Sequence, residues 1–248
     1  MPRKAASPTV APSLDDARAR VHALGDPADA AFLQRFFKTG PGEYGEGDRF
    51  LGIRVPALRA LVREFQDLPL ADALEMLRSE WHEERLFALL LMVRRYQRDE
   101  EARRAVFDAY LAHTRWINNW DLVDASAEHV VGAHLFDRDR ALLDELARSE
   151  SVWERRIAIV STFHFIRKND FATTLRIAEA LLGDRHDLIH KAVGWMLREV
   201  GKRDVATLET FLRAHHRRMP RTALRYAIER FPEPRRRAWL TGEVDGGG

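Results

Sequence analysis

The sequence contains no cysteine, no long apolar run and no segment with strand-like alternation, and each absence excludes a class of protein. Without cysteine among its 248 residues, the chain cannot form disulfides, thiolate nucleophiles, iron–sulfur clusters or cysteine zinc sites, which fits a reducing cytoplasm. No apolar run approaches the roughly 20 residues that a membrane-spanning helix needs. Apolar residues instead recur at helical spacing along nearly the whole chain, so the sequence predicts an all-α protein.

Charge is distributed unevenly along the chain. The formal net charge is only +2, yet residues 151–240 carry 19 Lys and Arg against 10 Asp and Glu, and residues 1–150 carry 21 against 26. A basic C-terminal half is typical of a protein with a polyanionic partner. The alternative is that arginine serves there mainly as a good helix-forming residue.

The two ends differ in composition from the rest. Residues 1–13, MPRKAASPTVAPS, lack the apolar core of a signal peptide and predict a disordered N-terminal tail. Residues 241–248 predict a flexible C-terminal tail, which leaves residues 14–240 as a single repeat domain. Within it, residues 39–49 contain four glycines and a proline, and this composition predicts a real loop that holds Tyr44.

Helical segments repeat at a nearly constant spacing. The strongly apolar segments begin at or near Arg85, Asp121, Arg156, Lys191 and Arg221. Weaker amphipathic segments lie between them, at residues 99–113, 139–149, 170–182 and 204–215. Two helices in each step of about 35 residues indicate a HEAT-like α-solenoid of antiparallel helix pairs, in which each pair buries its apolar face against its neighbours.

In such a solenoid the second helices line one concave surface, which would form a basic groove. The residues predicted to lie on it are Trp120, Asp124, Arg156, Lys191, Trp195 and Arg198. Arginine and lysine neutralise phosphates, and tryptophan faces attract cations, so this surface suits duplex DNA. A carboxylate repels phosphate, but it becomes useful where a positive charge develops during a reaction. Cleavage of the bond between a sugar and a cationic alkylated purine is such a reaction.

The segment NNWDLVD combines a helix start with a candidate site. Asn118 or Asn119 is expected to cap the helix, and Asp121 to favour its first turn through the helix dipole. Trp120 and Asp124 lie four residues apart, so a helix places them one turn apart on the same face. Two alternatives stay open, in which the indole packs in the core and Asp124 pairs with a neighbouring arginine.

Several motifs together resemble one known family. They are FLGIRVPALRAL (50–61), NNWDLVD (118–124), RRIAIV (155–160), KAVGWMLREVGK (191–202) and MPRTALRYAIERF (219–231). In this order they resemble the bacterial DNA alkylation repair glycosylases of the AlkD type, over about residues 25–240. The resemblance implies HEAT-like repeats, excision of N3- and N7-alkylated purines, and no need to flip the lesion into a pocket.

The resemblance also implies roles for individual residues. Trp120 and Trp195 match the aromatic pair that contacts the sugar of the lesion, Asp124 matches the catalytic aspartate, and Arg156 matches the arginine beside it that engages the backbone. Further DNA contacts are predicted at Lys191, Arg198, Arg221, Tyr44 and Phe36. This chain departs from the family before FLGI, where Phe36 stands at the position of a tyrosine and the link is longer, so Tyr44 in the loop is an alternative.

Other partners and cofactors receive little support from the sequence. His186 and His190 have a spacing that zinc can use, but a glutamate directly after the first histidine and a third ligand are lacking, so no metal and no cofactor are expected. The chain is expected to be a cytoplasmic, nucleoid-associated monomer. The rival hypothesis is a catalytically silent HEAT-repeat protein that binds DNA structure or another protein.

Overall fold

The structure of the protein is a computed structural model that describes residues 12–245. The α-helices are α1 Leu14–His22, α2 Pro27–Phe36, α3 Val55–Glu64, α4 Leu70–Leu77, α5 His82–Arg98, α6 Arg103–Ala112, α7 Trp120–Asp124, α8 Ala133–Leu135, α9 Ala141–Ala147, α10 Val152–Ser161, α11 Phe163–Arg167, α12 Ala172–Ala180, α13 Asp187–Gly201, α14 Val205–His215, α15 Arg221–Ala227 and α16 Glu233–Thr241. Thr114–Trp116 and Glu243–Asp245 form 3₁₀ turns, and Glu128–Gly132 forms a π-helical segment. Across this part of the chain there is no strand, so the all-α prediction is confirmed.

Helix starts follow local capping chemistry. Asp26 caps α2 by accepting from the backbone N–H groups of Ala28 and Asp29, and Pro27 is the first residue of that helix. Pro220 stands immediately before α15. These contacts depend on residues close in sequence, which is why the sequence locates the starts well.

The chain divides into two compact units, with the boundary between Val106 and Phe107, inside α6. In the second unit, α10 packs against α7, α9 and α13, and α13 packs against α12, α14 and α15. The apolar segments predicted after residue 120 are therefore α7, α10, α13 and α15, and the weaker segments between them are α9, α12 and α14. This stacking of helix pairs is that of an α-solenoid.

Two glycines of α13 permit close packing in the second unit. A Cβ added at Gly194 would lie 2.5 Å from the Ala223 carbonyl oxygen, so a side chain there would separate α13 from α15. Gly201 is the last residue of α13. An added Cβ there would lie 2.3 Å from Leu208 Cδ2, so this glycine also makes room for α14.

The first unit is organised around α5, which packs against α1, α3 and α4. The first turn of α5 is charged but buried. Glu83 accepts from the backbone N–H groups of Leu51, Gly52 and Ile53, at 2.8, 2.8 and 3.1 Å. Gly52 has φ +88°, and an added Cβ would lie 2.0 Å from the Asp26 carbonyl oxygen, so the FLGI segment depends on glycine here.

The ends of the chain lie partly beyond what the structure describes. Residues 1–11 of the predicted N-terminal tail lie outside the described residues, and Ser13 caps α1 by accepting from the Asp16 N–H at 3.1 Å. The predicted C-terminal tail begins at Thr241, the last residue of α16, and residues 246–248 lie outside the described part. Between residues 12 and 245, no helix is long and apolar enough to cross a membrane.

Candidate active site

The candidate site is built on α7, a helix of five residues. Its N-cap is Asn119, which is fully buried and accepts from the Trp120 N–H at 2.8 Å. Of the two asparagines that the sequence offered as caps, the second one serves. Trp120 and Asp124 then form the first and last residues of the helix, one turn apart.

Asp124 forms a bidentate ion pair with Arg156 of α10. Arg156 Nε donates to Asp124 Oδ1 at 2.8 Å, and Nη2 donates to Oδ2 at 2.7 Å. The pairing that the sequence left as an alternative for Asp124 is thus present, and the fork geometry fixes the plane of the carboxylate. The Asp124 side chain nevertheless keeps 20% of its surface exposed, against 6% for Arg156.

Arg156 also links α7 to the third helix of the site. Its Nη1 donates to the Leu188 carbonyl oxygen at 2.6 Å, in the first turn of α13. The Arg156 guanidinium therefore links three helices of the site. They are α7, which carries Trp120 and Asp124, α10, which carries Arg156, and α13, which carries Lys191 and Trp195. The adjacent Arg155 points elsewhere and donates to Asp184 Oδ2 at 2.6 Å, as expected for neighbouring helical residues.

Two opposing influences act on the Asp124 carboxyl. Burial raises its pKa above the ordinary value and is the largest influence, whereas the charge of Arg156 and its hydrogen bonds lower it, and the charge of Asp121 raises it. The net direction is a raised pKa. The charge and hydrogen bonds of Arg156 therefore oppose the rise in the Asp124 pKa that burial causes.

A buried hydroxyl pair lies beneath α7 and was not predicted. The Tyr110 hydroxyl and Ser126 Oγ are 2.9 Å apart, and Ser126 donates to the Leu122 carbonyl oxygen at 2.6 Å. Both side chains are fully buried, and burial raises the pKa of Tyr110. This pair anchors the last turn of α7 from the core side. Ser126 lies in the turn directly after α7, and no pattern in the surrounding sequence predicts this pair.

The two tryptophans of the predicted site are half-buried. Trp195 contacts Phe163 edge to face, with ring centroids 5.7 Å apart. By comparison, Trp239 is 2% exposed and belongs to the core. Trp120 and Trp195 thus differ from a fully buried core tryptophan, and each keeps part of its ring surface open.

The predicted basic contacts all have partners within the protein. Lys191 pairs with Asp187 at 2.8 Å and is 42% exposed, and Arg198 pairs with Glu229. Arg221 is exposed and donates to the Leu240 carbonyl oxygen at 2.6 Å. The Lys191–Asp187 pair lies at the surface, so Lys191 can exchange its partner for a phosphate at little cost, whereas the Arg198 side chain is only 19% exposed.

Phe36 and Tyr44, the predicted contacts before FLGI, lie in the first unit. Phe36 is the last residue of α2, is 52% exposed, and stacks on Phe32 with centroids 5.9 Å apart. Tyr44 is half-buried in the glycine-rich loop, where Gly42 and Gly47 adopt positive φ.

The histidine pair before and within α13 has a local role. His186 Nδ1 accepts from the Leu188 N–H at 3.2 Å as the N-cap, and His190 Nε2 lies 2.6 Å from the Asp184 carbonyl oxygen. Among residues 12–245, no group of three or more His, Asp or Glu side chains is placed to hold a metal ion.

Comparison with known proteins places the chain in a family. The sequence model of the DNA alkylation repair enzyme family matches residues 17–231. A solved structure, described as a predicted DNA alkylation repair enzyme from Enterococcus faecalis, shares the fold with a TM-score of 0.65 and 21% identity, over 84% of this chain and 97% of that one. No curated protein matches the chain. The family match spans both compact units and every residue of the candidate site, and the chain therefore belongs to the DNA alkylation repair enzyme family.

Proposed function

We propose that the protein is a monofunctional DNA glycosylase that hydrolyses the N-glycosidic bond of cationic N3- and N7-alkylated purines in duplex DNA. The observation that carries this proposal is the Asp124–Arg156 pair. A carboxylate held in one plane by an arginine fork, but still 20% exposed, is suited to facing a cation that forms beside it.

The proposed reaction needs one carboxylate. The bond between C1′ and the purine nitrogen breaks, and its electron pair goes to the purine, which leaves as a neutral base because it was already cationic. The sugar develops oxocarbenium character, which the negative charge of Asp124 stabilises. Water adds to C1′ and gives up a proton to the carboxylate or to solvent. No general acid is required, since the alkyl group has already activated the leaving base.

Trp120 and Trp195 are proposed to support the same charge with their ring faces. A cation beside a tryptophan face is stabilised by about 0.5–2 kcal/mol, depending on desolvation. Trp120 lies one turn before Asp124 on α7, so a ring and a carboxylate are available on one helix. This combination favours a cationic sugar and disfavours an unactivated neutral base.

DNA binding is proposed to involve the basic residues 151–240, with Lys191, Arg198 and Arg221 in a concave groove formed by a repeat domain over residues 14–240. Arg156 is proposed to contribute mainly by holding Asp124, because three of its hydrogen bonds go to protein acceptors. Phe36 and Tyr44 remain proposed contacts of the first unit, and the enzyme is proposed to act as a cytoplasmic monomer. Affinity for undamaged duplex should be weak and should fall steeply as the salt concentration rises. An affinity that does not change with salt would contradict DNA binding in a basic groove.

The direct test is release of a base. The protein is incubated with a duplex oligonucleotide that carries one N7-methylguanine, and free base is quantified over time beside a spontaneous-depurination control. Release faster than the control supports the proposal. Binding without release would instead support the rival, a catalytically silent DNA-binding member of the family.

A further inference from the structure

Trp195 rests on a ring that is itself held by an ion pair. Its indole contacts Phe163 of α11 edge to face, at 5.7 Å and 62°. The Arg167 guanidinium lies over Phe163, 4.5 Å from the ring centroid. The phenyl ring therefore contacts both the tryptophan of the proposed site and a cation, and its orientation depends on both contacts.

Arg167 is in turn fixed by Glu128. Arg167 Nε lies 3.1 Å from Glu128 Oε2, and Nη2 donates to Oε1 at 3.2 Å. The Glu128 side chain is only 8% exposed, whereas Arg167 is 51% exposed. Burial raises the pKa of Glu128, and the charge of Arg167 opposes it. A buried carboxylate of this kind depends on its cation, so the pair is more constrained than an ion pair between two exposed side chains.

Glu128 belongs to the chain segment that carries Asp124, four residues further on. It begins the π-helical segment Glu128–Gly132, a local distortion of the kind that often occurs at functional sites. Gly132 brings this segment against the end of α10, because an added Cβ would lie 2.1 Å from the Ser161 carbonyl oxygen. The close approach limits how far Glu128 can move relative to α10 and α11.

Residues 124–128 thus contribute to two parts of the proposed site. Asp124 is itself a site residue, held by Arg156. Glu128 supports Trp195 indirectly, through Arg167 and Phe163. We propose that Phe163, Arg167 and Glu128 are positioning residues that set the orientation of the Trp195 ring for catalysis. This inference rests on the proposed glycosylase function, since it assigns a purpose to the position of Trp195.

The test measures the surroundings of Trp195 and the rate of excision separately. Because the chain has six tryptophans, the Trp195 emission is isolated as the difference between each protein and its Trp195→Phe counterpart. The variants are Phe163→Leu, which removes the ring, and Arg167→Gln, which removes the cation. Phe163→Tyr keeps the ring and serves as the conservative variant.

Arg140→Gln is the matched control. Arg140 also lies over a phenylalanine of α11, 4.3 Å from the Phe165 centroid, and pairs with Asp170 at 2.7 Å. It makes the same types of contact in the same unit, but on a fully buried ring. Loss of stability without a change at Trp195 is the result expected of this control.

Phe163→Leu and Arg167→Gln should shift the Trp195 emission and increase its quenching by acrylamide. They should also lower kcat by about two- to fivefold with KM nearly unchanged. Phe163→Tyr should leave both the Trp195 emission and kcat close to those of the unmodified protein. An unchanged Trp195 emission in both variants would overturn the positioning role, as would loss of kcat in Arg140→Gln to the same extent. If the unmodified protein releases no base, the proposed function fails, while the emission measurement still decides whether these residues support the indole.

Discussion

Asp48 in the first unit and Asp124 in the second unit are each bound to an arginine, but their surroundings suit different roles. Those of Asp48 suit a structural role, and those of Asp124 suit a catalytic one. In the first unit, Asp48 contacts His82 through Nδ1 at 2.8 Å and Arg85 through Nη2, and its side chain is 3% exposed. In the second unit, Asp124 contacts Arg156 and is 20% exposed. The first carboxylate is enclosed, and the second has an open edge.

The two clusters also differ in acidity. Burial opposes ionisation of Asp48, but His82 and Arg85 outweigh it and hold the pKa at about 2. For Asp124 the balance has the opposite sign, because burial outweighs the single arginine and the pKa is raised. Asp48, enclosed by these two partners and with a depressed pKa, stabilises the fold through its charge. Asp124 has the single arginine as its cationic partner and a raised pKa, so its carboxylate can still be stabilised by a further positive charge, such as one that develops on a sugar.

The largest expected effect comes from breaking the enclosed cluster. Asp48→Asn leaves Arg85 buried without its counter-charge, so the free energy of unfolding should fall by about 3–5 kcal/mol. Denaturant melts measure this loss. Excision per folded molecule should be unchanged, and a variant that keeps full stability would show that this cluster does not hold the first unit together.

The same cluster predicts a dependence of stability on acid. Since the folded pKa of Asp48 is depressed from 3.8 to about 2, its stabilisation is fully present above pH 3.8 and is lost as the pH falls towards 2. Melts of the unmodified protein between pH 5 and 2 should show this loss, and Asp48→Asn should show a shallower decline. Parallel declines in the two proteins would contradict the assignment.

The tryptophans provide the next comparison. Trp120→Ala and Trp195→Ala should each slow excision by about tenfold, the equivalent of roughly 1.4 kcal/mol of transition-state stabilisation, with the helical fold retained. Trp239→Ala is the control, because this core residue should lose about 3–5 kcal/mol of stability without affecting excision by the folded fraction. Thermal melts beside activity assays separate the two cases. Large losses of melting temperature in all three variants would mean that Trp120 and Trp195 are structural.

The smallest effect concerns the pH at which activity falls. Excision requires ionised Asp124, so the rate should fall as the pH drops through its raised pKa. Arg156→Gln removes the charge that lowers this pKa, so the acid limb of the pH–rate profile should move to higher pH. Arg155→Gln is the control, since Arg155 pairs with Asp184 instead. An acid limb at the same pH in Arg156→Gln and the unmodified protein would contradict the effect of Arg156 on the Asp124 pKa.

Helices and caps could be predicted because their signals are local. The apolar periodicity of α13 and the cap at Asn119 depend on residues within one or two turns. The pairing of Asp124 with Arg156, 32 residues away, was open in the sequence, although a repeat of about 35 residues makes such neighbours plausible. Residue spacing indicated adjacent helices, but it could not decide which arginine the carboxylate faces.

Features that depend on tertiary contacts could not be predicted. Asp48 meets His82 and Arg85 across 34 and 37 residues, from a loop to the first turn of a helix, and no periodic pattern connects them. The burial of that charged turn also contradicts the usual expectation for such residues. The Phe163 support of Trp195 depends on the short helix α11, which breaks the two-helix pattern of the repeats.

The most direct test of the account is Asp124→Asn, measured for both excision and binding. The amide keeps the size and hydrogen-bonding capacity of the side chain but removes its charge. Excision of N7-methylguanine per folded molecule should fall by at least about tenfold. Affinity for undamaged duplex should hold or increase, because a repulsion with phosphate is gone. Unchanged excision, or equal losses of stability and binding with no separate effect on catalysis, would contradict the assignment of Asp124 as the catalytic residue.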